Sequence, residues 1–283
     1  MEGDREPVVS VVMPTYNQAG FLREAVRSVL LQDEPRWELL VINNFSEDDT
    51  AAVLEGFSDP RIRREDFRNE GIIAASRNRG VGLARGRFVA FLDSDDSWYP
   101  GKLSACLGAL ERGADAVCHG MLIRKDGIPA GNLVPSPPRS LYDELIFRGN
   151  TSIATSSVVI RRECLAKAGG FSEDREIVSA EDYELWLRLA RGGARFAMLP
   201  VILGEYTVHQ GGLSRNIGRQ SDAEAEVVTR EFRRMPDDSL RTILRRRRRM
   251  ALLHLRAARR FQQAGLYGEA GSALARSVMA LTR

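Results

Sequence analysis

From Val8 onward the chain alternates short apolar runs with amphipathic stretches. Val8-Val9-Ser10-Val11-Val12-Met13 is β-branched, short and stopped by Pro14, which predicts a buried strand rather than a helix. The turn Asn17-Gln18-Ala19-Gly20 follows, and then Phe21, Leu22, Ala25, Val26, Val29 and Leu30 repeat at three-to-four spacing, the signature of an amphipathic helix. Glu38 to Ile42 reads as a second strand, ending in the polar loop Asn43 to Asp49 and a helix through Phe57. Arg61 to Arg64 reads as a weaker strand, Ile72 to Ala84 as a helix, and Phe88 to Leu92 as a fully apolar strand. Strand, crossover helix, strand in this order predicts an α/β fold with a mostly parallel sheet. Right-handed crossovers then bring the loops beginning at Pro14, Asn43 and Asp93 to one crevice at the strands' carboxyl ends, where ligands of open α/β sheets bind.

From about Gly218 the pattern is helical throughout, with Val227, Val228, Phe232 and then Leu240, Ile243, Leu244, Met250, Leu253, Ala257 and Phe261 at mostly helical spacing. Pro236-Asp237-Asp238-Ser239 marks a break and a helix start, and Ala264 to Ala270 turns into a last helix. Residues 1–217 are thus expected to form the α/β domain and 218–283 a helical extension. The hairpin resembles a single tetratricopeptide-like unit, which cannot bury its faces alone and is expected to pack on the α/β domain or on a second copy of the chain.

With 283 residues, 43% hydrophobic and 28% charged, the chain is expected to fold and to bury a core without disulfides. Cys106, Cys118 and Cys164 are odd in number and lack C-x-x-C spacing, which points to a reducing, cytoplasmic compartment. No segment is expected to cross a bilayer, and the charged stretch Met1 to Pro7 does not read as a signal peptide. The net charge is +3, but residues 216–283 hold 15 Arg against 7 Asp and Glu. The run Arg245 to Arg249 suits an anionic lipid, an acidic partner or nucleic acid; the plainer reading is a solvated helix face. Without interleaved aromatics or a reader motif, no nucleic-acid partner is expected.

No G-x-G-x-x-G follows a strand and no G-x-x-x-x-G-K-[ST] occurs, so neither a dehydrogenase-type nor a P-loop nucleotide site is expected. Asp93-Ser94-Asp95-Asp96 directly follows the most apolar strand. Three carboxylates so close repel one another unless a cation or hydrogen-bond donors compensate, and oxygen ligands suit magnesium or manganese. The alternative is an Asx-rich turn capping the next helix. Glu181-Asp182 opens a second acidic position, where two acids also suit a helix start. His209 lies where a strand runs into Gly211-Gly212, and by itself reads as structural.

Val9 to Asn17, Asp93 to Asp96, and Glu181 to Arg188, with Asn69-x-Gly71, Ala75-x-Arg77-Asn78, Ala84-x-Gly86, Trp98-x-Pro100-x-Lys102-Leu103 and Gly169-Gly170-Phe171 between them, together resemble a family 2 glycosyltransferase of GT-A fold, over about residues 8–215. The resemblance implies a Rossmann-like sheet and transfer of a sugar from a nucleoside-diphosphate donor. It implies that Pro14, Tyr16 and Asn44 line the base pocket, with Arg77 close to base or phosphate. Asp93 would sit at the ribose or the metal's outer shell, with Ser94 beside it on the donor. Asp95 would be the main carboxylate for Mn2+ or Mg2+, with His209 a metal or diphosphate contact and Asp96 a neighbour. Gly170 and Phe171 would border the donor sugar. Asp182 would be the catalytic base, with Glu181 touching the acceptor or orienting it. Attack in line inverts the anomeric centre, and a metal at Asp95 stabilises the leaving diphosphate.

Where many relatives carry Asp-Asp after the second strand, this chain has Asn43-Asn44, which keeps UDP- and dTDP-sugars as the favoured donors and leaves GDP open; the pair also suits a simple turn. Neither extra membrane helices nor a Gln-x-x-Arg-Trp segment occurs, so single-sugar transfer is expected over processive synthesis. The acceptor would be a carbohydrate, a lipid-linked sugar or a small molecule, with peripheral membrane contact or a homodimer through the C-terminal helices as further expectations. The rivals are a catalytically silent nucleotide-sugar binder and a peptide glycosyltransferase that uses the helical tail for docking.

Overall fold

The computed structural model describes residues 6–149, 152–209, 211–212, 216–235 and 239–282. The predicted elements appear in order: β1 (Val9–Thr15), α1 (Ala19–Leu30), β2 (Trp37–Asn43), α2 (Thr50–Glu55), β3 (Ile62–Asp66), α3 (Ile73–Leu83) and β4 (Phe88–Phe91). Then come β5 (Ser97–Trp98), α4 (Lys102–Glu111), β6 (Ala116–Lys125), β7 (Ile128–Leu133), α5 (Leu141–Arg148), β8 (Val159–Arg161) and α6 (Arg162–Ala168). The last are α7 (Glu181–Arg191), β9 (Phe196–Val208), α8 (Ile217–Arg234), α9 (Leu240–Gln263) and α10 (Tyr267–Thr282). Among the described residues no helix is long and apolar enough to cross a membrane.

The strands form one mixed sheet in the order β3-β2-β1-β4-β8-β6-β9-β5, with β7 added to β6. The first four are parallel, as the crossover pattern predicts. The antiparallel β8 and the β6–β7 hairpin have no counterpart in the sequence reading. One boundary is corrected: β1 does not stop at Pro14, which pairs in register with Ile42 while Thr15 pairs with Asn43. The Val12 carbonyl faces β4, where it accepts the Leu92 N–H at 3.1 Å, so two residues on the Pro14 nitrogen faces the same side. Pairing with β4 ends at Val12, and the missing proline donor therefore costs no ladder bond.

Both faces of the sheet are covered at β1, β2 and β4, which is why those strands are buried along their whole length, whereas the edge strand β3 is polar and largely exposed. Val9, Val11 and Met13 join Leu22, Val26 and Val29 of α1 and Leu103 and Leu107 of α4 in one core. On the other face a Cβ at Gly80 of α3 would lie 2.4 Å from a Val12 methyl, so only glycine allows that approach.

Two compact units are formed. The first comprises Met1–Arg139, Thr151–Phe171 and Arg188–His209 and carries the sheet; the second comprises Ser140–Asn150, Ser172–Leu187 and Gln210–Arg283. Within the second, the arginine run is not simply a solvated helix face. Arg249 is 1% exposed and bonds the Ile146 carbonyl at 3.0 Å and the Glu224 carboxylate at 2.6 Å. Arg245 lies 3.6 Å from the Phe147 ring centroid and pairs with Asp143 at 3.4 Å. Helical periodicity turns Arg249 inward, where the Glu224 carboxylate and the Ile146 carbonyl offset the cost of burying its guanidinium. Ser239 caps α9 by accepting the Thr242 N–H; Pro236, Asp237 and Asp238 of the expected break lie outside the described residues, as do Gln210, Leu213 and Ser214 after His209.

Candidate active site

The three acids that follow β4 differ in their surroundings. Asp93 receives both oxygens' contacts from Nη2 of Arg77, at 2.9 and 3.2 Å, and Arg77 is itself buried in α3. Asp95 lies 2.9 Å from Nε2 of His209, just past the end of β9, and the His209 ring rests on Phe21 of α1 with centroids 4.5 Å apart. Asp96 is buried and accepts the Ser156 hydroxyl at 2.5 Å and the Thr207 N–H at 2.9 Å. Ser94 is buried between them. Burial, and then the charge of Asp93, raise the pKa of Asp95, with His209 acting against the rise. Burial, and then Asp95 and Asp93, hold Asp96 well above the usual carboxylate range. The repulsion expected of this loop is thus offset acid by acid: a guanidinium for Asp93, an imidazole for Asp95, a hydroxyl and an amide for Asp96. The role left open for Asp96 is structural, since it ties the loop to β9 and to the 3-10 turn Thr155–Ser157.

The loops after β1 and β2 meet beside this one, as the crossover rule predicts. The Asn17 side chain accepts the Glu47 N–H at 2.8 Å, its own N–H donates to Ser46 at 2.9 Å, and Asp48 caps α1 by accepting the Ala19 N–H at 2.9 Å. Pro14 is buried at the end of β1 and Tyr16 is 52% exposed beyond it. Asn43 works within the turn: its amide donates to Asp66 at 2.6 Å and its oxygen accepts from Ser46. Asn44 is half-buried, and its Oδ1 accepts the Asn69 N–H at 3.0 Å. A backbone N–H only donates, so the amide is oriented with oxygen toward Asn69, and the donating Nδ2 is the end it can offer a ligand.

Gly170 and Phe171 are clamped by a residue that sequence reasoning left without a role. Asn78 accepts the Phe171 N–H at 2.8 Å and donates to the Phe171 carbonyl at 2.9 Å, as a strand neighbour would. A Cβ at Gly170 would sit 2.7 Å from Asn78 Oδ1, and its φ of 72° lies in the left-handed region. Phe171 is buried and packs edge-on against Phe91, centroids 5.0 Å apart, with Arg77 5.4 Å above its ring. Ser156, too, was missed: a serine among Thr155-Ser156-Ser157 carries no signal that it will meet a loop 60 residues earlier.

Glu181 and Asp182 belong to the second unit, in the first turn of α7. Glu181 is buried and accepts the Ser179 N–H at 2.7 Å, fixing the left-handed Ser179 (φ 83°) ahead of the helix. Asp182 is half-buried and lies with Oδ1 at 2.6 Å from the Tyr183 N–H.

Among the described residues no group of three or more His, Cys, Asp and Glu is placed to hold a metal. The Asp95–His209 pair, one carboxylate and one imidazole, still fits a divalent ion that takes its other oxygens from a substrate diphosphate, since such sites use only one or two protein carboxylates. Asp95 is desolvated beside a second acid, an environment in which added positive charge is favoured.

A family model described as glycosyl transferase family 2 matches residues 10–169. The chain is 32% identical over 215 residues to the putative teichuronic acid biosynthesis glycosyltransferase TuaG of Bacillus subtilis, covering 75% of this chain and 83% of that one. It is 32% identical over 235 residues to WfgD of Escherichia coli, a UDP-Glc:alpha-D-GlcNAc-diphosphoundecaprenol beta-1,3-glucosyltransferase, covering 81% and 89%. Among solved structures, the mannosyltransferase PcManGT of Pyrobaculum calidifontis, in complex with GDP-Man and Mn2+, superposes with a TM-score of 0.62 at 21% identity over 98% of this chain and 76% of that one. A fragment of TarS from S. aureus in complex with UDP-GlcNAc gives 0.58 at 18% identity over 96% and 89%. At such identities the likeness is one of fold, and the fold is GT-A.

Proposed function

Since the chain belongs to glycosyltransferase family 2, we propose that this glycosyltransferase moves one sugar from a nucleoside-diphosphate donor to an acceptor hydroxyl with inversion at the anomeric carbon. In this reading residues 1–217 carry the transfer domain and 218–283 its helical extension. The observation that supports it best is the pairing of Asp95 with His209 and of Asp93 with Arg77 at the carboxyl end of β4, beside the loops after β1 and β2.

Pro14, Tyr16 and Asn44 take the base, Arg77 and Asp93 the ribose and diphosphate, and Ser94, Gly170 and Phe171 the donor side of the pocket. Asn44, oriented by Asn69, donates to a base carbonyl rather than accepting an imide proton. UDP and dTDP donors suit that contact, as does GDP. Asp95 and His209 would hold Mn2+ or Mg2+, and the ion would supply positive charge to the leaving diphosphate. Asp182 takes the proton of the acceptor hydroxyl as that oxygen bonds to the anomeric carbon and the bond to the diphosphate breaks; Glu181, satisfied by the Ser179 N–H, keeps the start of α7 in place. The names of WfgD and WfaP, which act on a diphosphoundecaprenol-linked sugar, support a lipid-linked acceptor. The unpaired cysteines suit a cytoplasmic setting.

Titrating UDP-, dTDP- and GDP-sugars by calorimetry with and without manganese tests the donor site. Asp182→Asn should lower kcat by about 10²- to 10⁴-fold while donor affinity stays. Asp95→Ala should abolish the manganese dependence of donor binding. Wild-type turnover by Asp182→Asn, or a donor affinity indifferent to manganese, overturns the corresponding assignment.

A further inference from the structure

Helix α10 turns small residues inward and large apolar ones outward. The side it turns to α9 carries small residues, with Ala273 fully buried and Ser277 bonded to the Ala251 carbonyl at 2.8 Å. Its large apolar residues point out instead: Tyr267 is 72%, Leu274 50%, Val278 57% and Leu281 54% exposed. With Gly271 they are spaced four, three, four and three residues apart, which makes one continuous stripe along the helix. Exposed apolar side chains at single positions need no explanation, but a stripe of this length marks a contact surface.

The charge beside the stripe says what the contact is. Residues 240–283 contain eleven arginines against one acid, Glu269. Arg249 and Arg245 are used inside the unit, as described above. Arg241, Arg248 and Arg259 are exposed, recur at seven- and eleven-residue spacing on one side of α9, and form no ion pair among the described residues. Leu240 and Leu244 on the same helix are 73% and 54% exposed. Two copies of such a hairpin would repel when brought face to face. An apolar stripe flanked by unpaired arginines is complementary to a surface that offers hydrocarbon and negative charge together.

We propose that the α9–α10 hairpin binds the surface of an anionic lipid bilayer, with Tyr267, Leu274, Val278 and Leu281 entering the acyl boundary and Arg241, Arg248 and Arg259 meeting lipid phosphates. This surface uses none of the residues assigned to the donor and does not depend on the transfer chemistry.

Co-sedimentation of the full chain with phosphatidylcholine vesicles, with and without phosphatidylglycerol, tests it. Binding should require the anionic lipid and weaken as salt rises. The triple variant Arg241→Glu, Arg248→Glu, Arg259→Glu should bind at least roughly 100-fold more weakly, at about 1 kcal/mol per lost charge. Leu274→Ser with Val278→Ser should release the chain at a salt concentration that the parent withstands. Melting temperatures should match the parent; if the apolar variant misfolds, the arginine variant decides. Failure of the parent to bind anionic vesicles overturns the proposal. So does a sedimentation-equilibrium dimer that Leu274→Ser dissociates, or arginine-dependent binding to duplex DNA in preference to vesicles.

Discussion

Ser156 donates its hydroxyl to the buried carboxylate of Asp96 at 2.5 Å and, through the same oxygen, accepts the Asp93 N–H at 3.1 Å. One small side chain therefore holds both ends of the acidic loop. Its carbonyl meanwhile receives the Trp98 indole N–H at 2.7 Å, so the 3-10 turn and the loop are locked together. Ser156→Ala should cost about 2 kcal/mol, because it strands a buried acceptor and a backbone donor at once. Urea denaturation measures this, and donor KM should rise in the same variant as Asp93 and Asp95 lose their fixed spacing. An unchanged urea midpoint would show that the loop is held by Thr207 alone.

Lys102 is fully buried, its ammonium is 3.5 Å from the Trp98 ring centroid, and it has no hydrogen-bond acceptor among the described residues. Burial pulls its pKa down to about 7 from 10.5, with Cys106 acting weakly the other way. The folded chain thus binds fewer protons at this site than the unfolded chain between about pH 7 and 10.5, so the site's contribution to stability grows as pH rises through that window. Lys102→Met should stabilise the protein by roughly 2 kcal/mol at pH 6, with the gain shrinking toward pH 10. Urea titrations at the two pH values check the sign; a gain that grows with pH contradicts it.

Arg249 joins α5, α8 and α9 in the second unit through Ile146 and Glu224. Arg249→Ala would leave the Glu224 carboxylate beside a void and should cost about 3–5 kcal/mol. Arg245→Ala, on the exposed side, should cost under about 1 kcal/mol. Thermal unfolding of the two variants separates an arginine that builds the unit from one that decorates it.

Asn44→Asp replaces a donor with an acceptor at the proposed base contact while still able to receive the Asn69 N–H. Affinity for the preferred nucleoside diphosphate should fall about tenfold by calorimetry, the worth of one hydrogen bond. Equal or tighter binding would mean that this position meets the imide proton instead.

The elements from Val9 to Phe91 were legible to within a few residues, because a parallel sheet covered on both faces demands apolar runs and its crossover helices demand a regular polar face. The same rule brought the loops after β1, β2 and β4 together. Asp93, Asp95 and Asp96 were visible as a group, yet the partner of each was not: Arg77 is 16 residues away, Ser156 60 and His209 114. Nothing local in Arg245 to Arg249 tells which arginine turns inward, since that depends on where Glu224 and Ile146 come to rest.

Periodicity, turn residues and the order of acidic and apolar segments are local properties, and they were enough to specify the elements, their sequence along the chain and the kind of chemistry at the strand ends. Which acid is balanced by a guanidinium, which by an imidazole and which by a hydroxyl is decided only when distant segments meet. Hydrogen bonds and ion pairs act over a few ångströms of space, and separation along the chain does not reveal that distance.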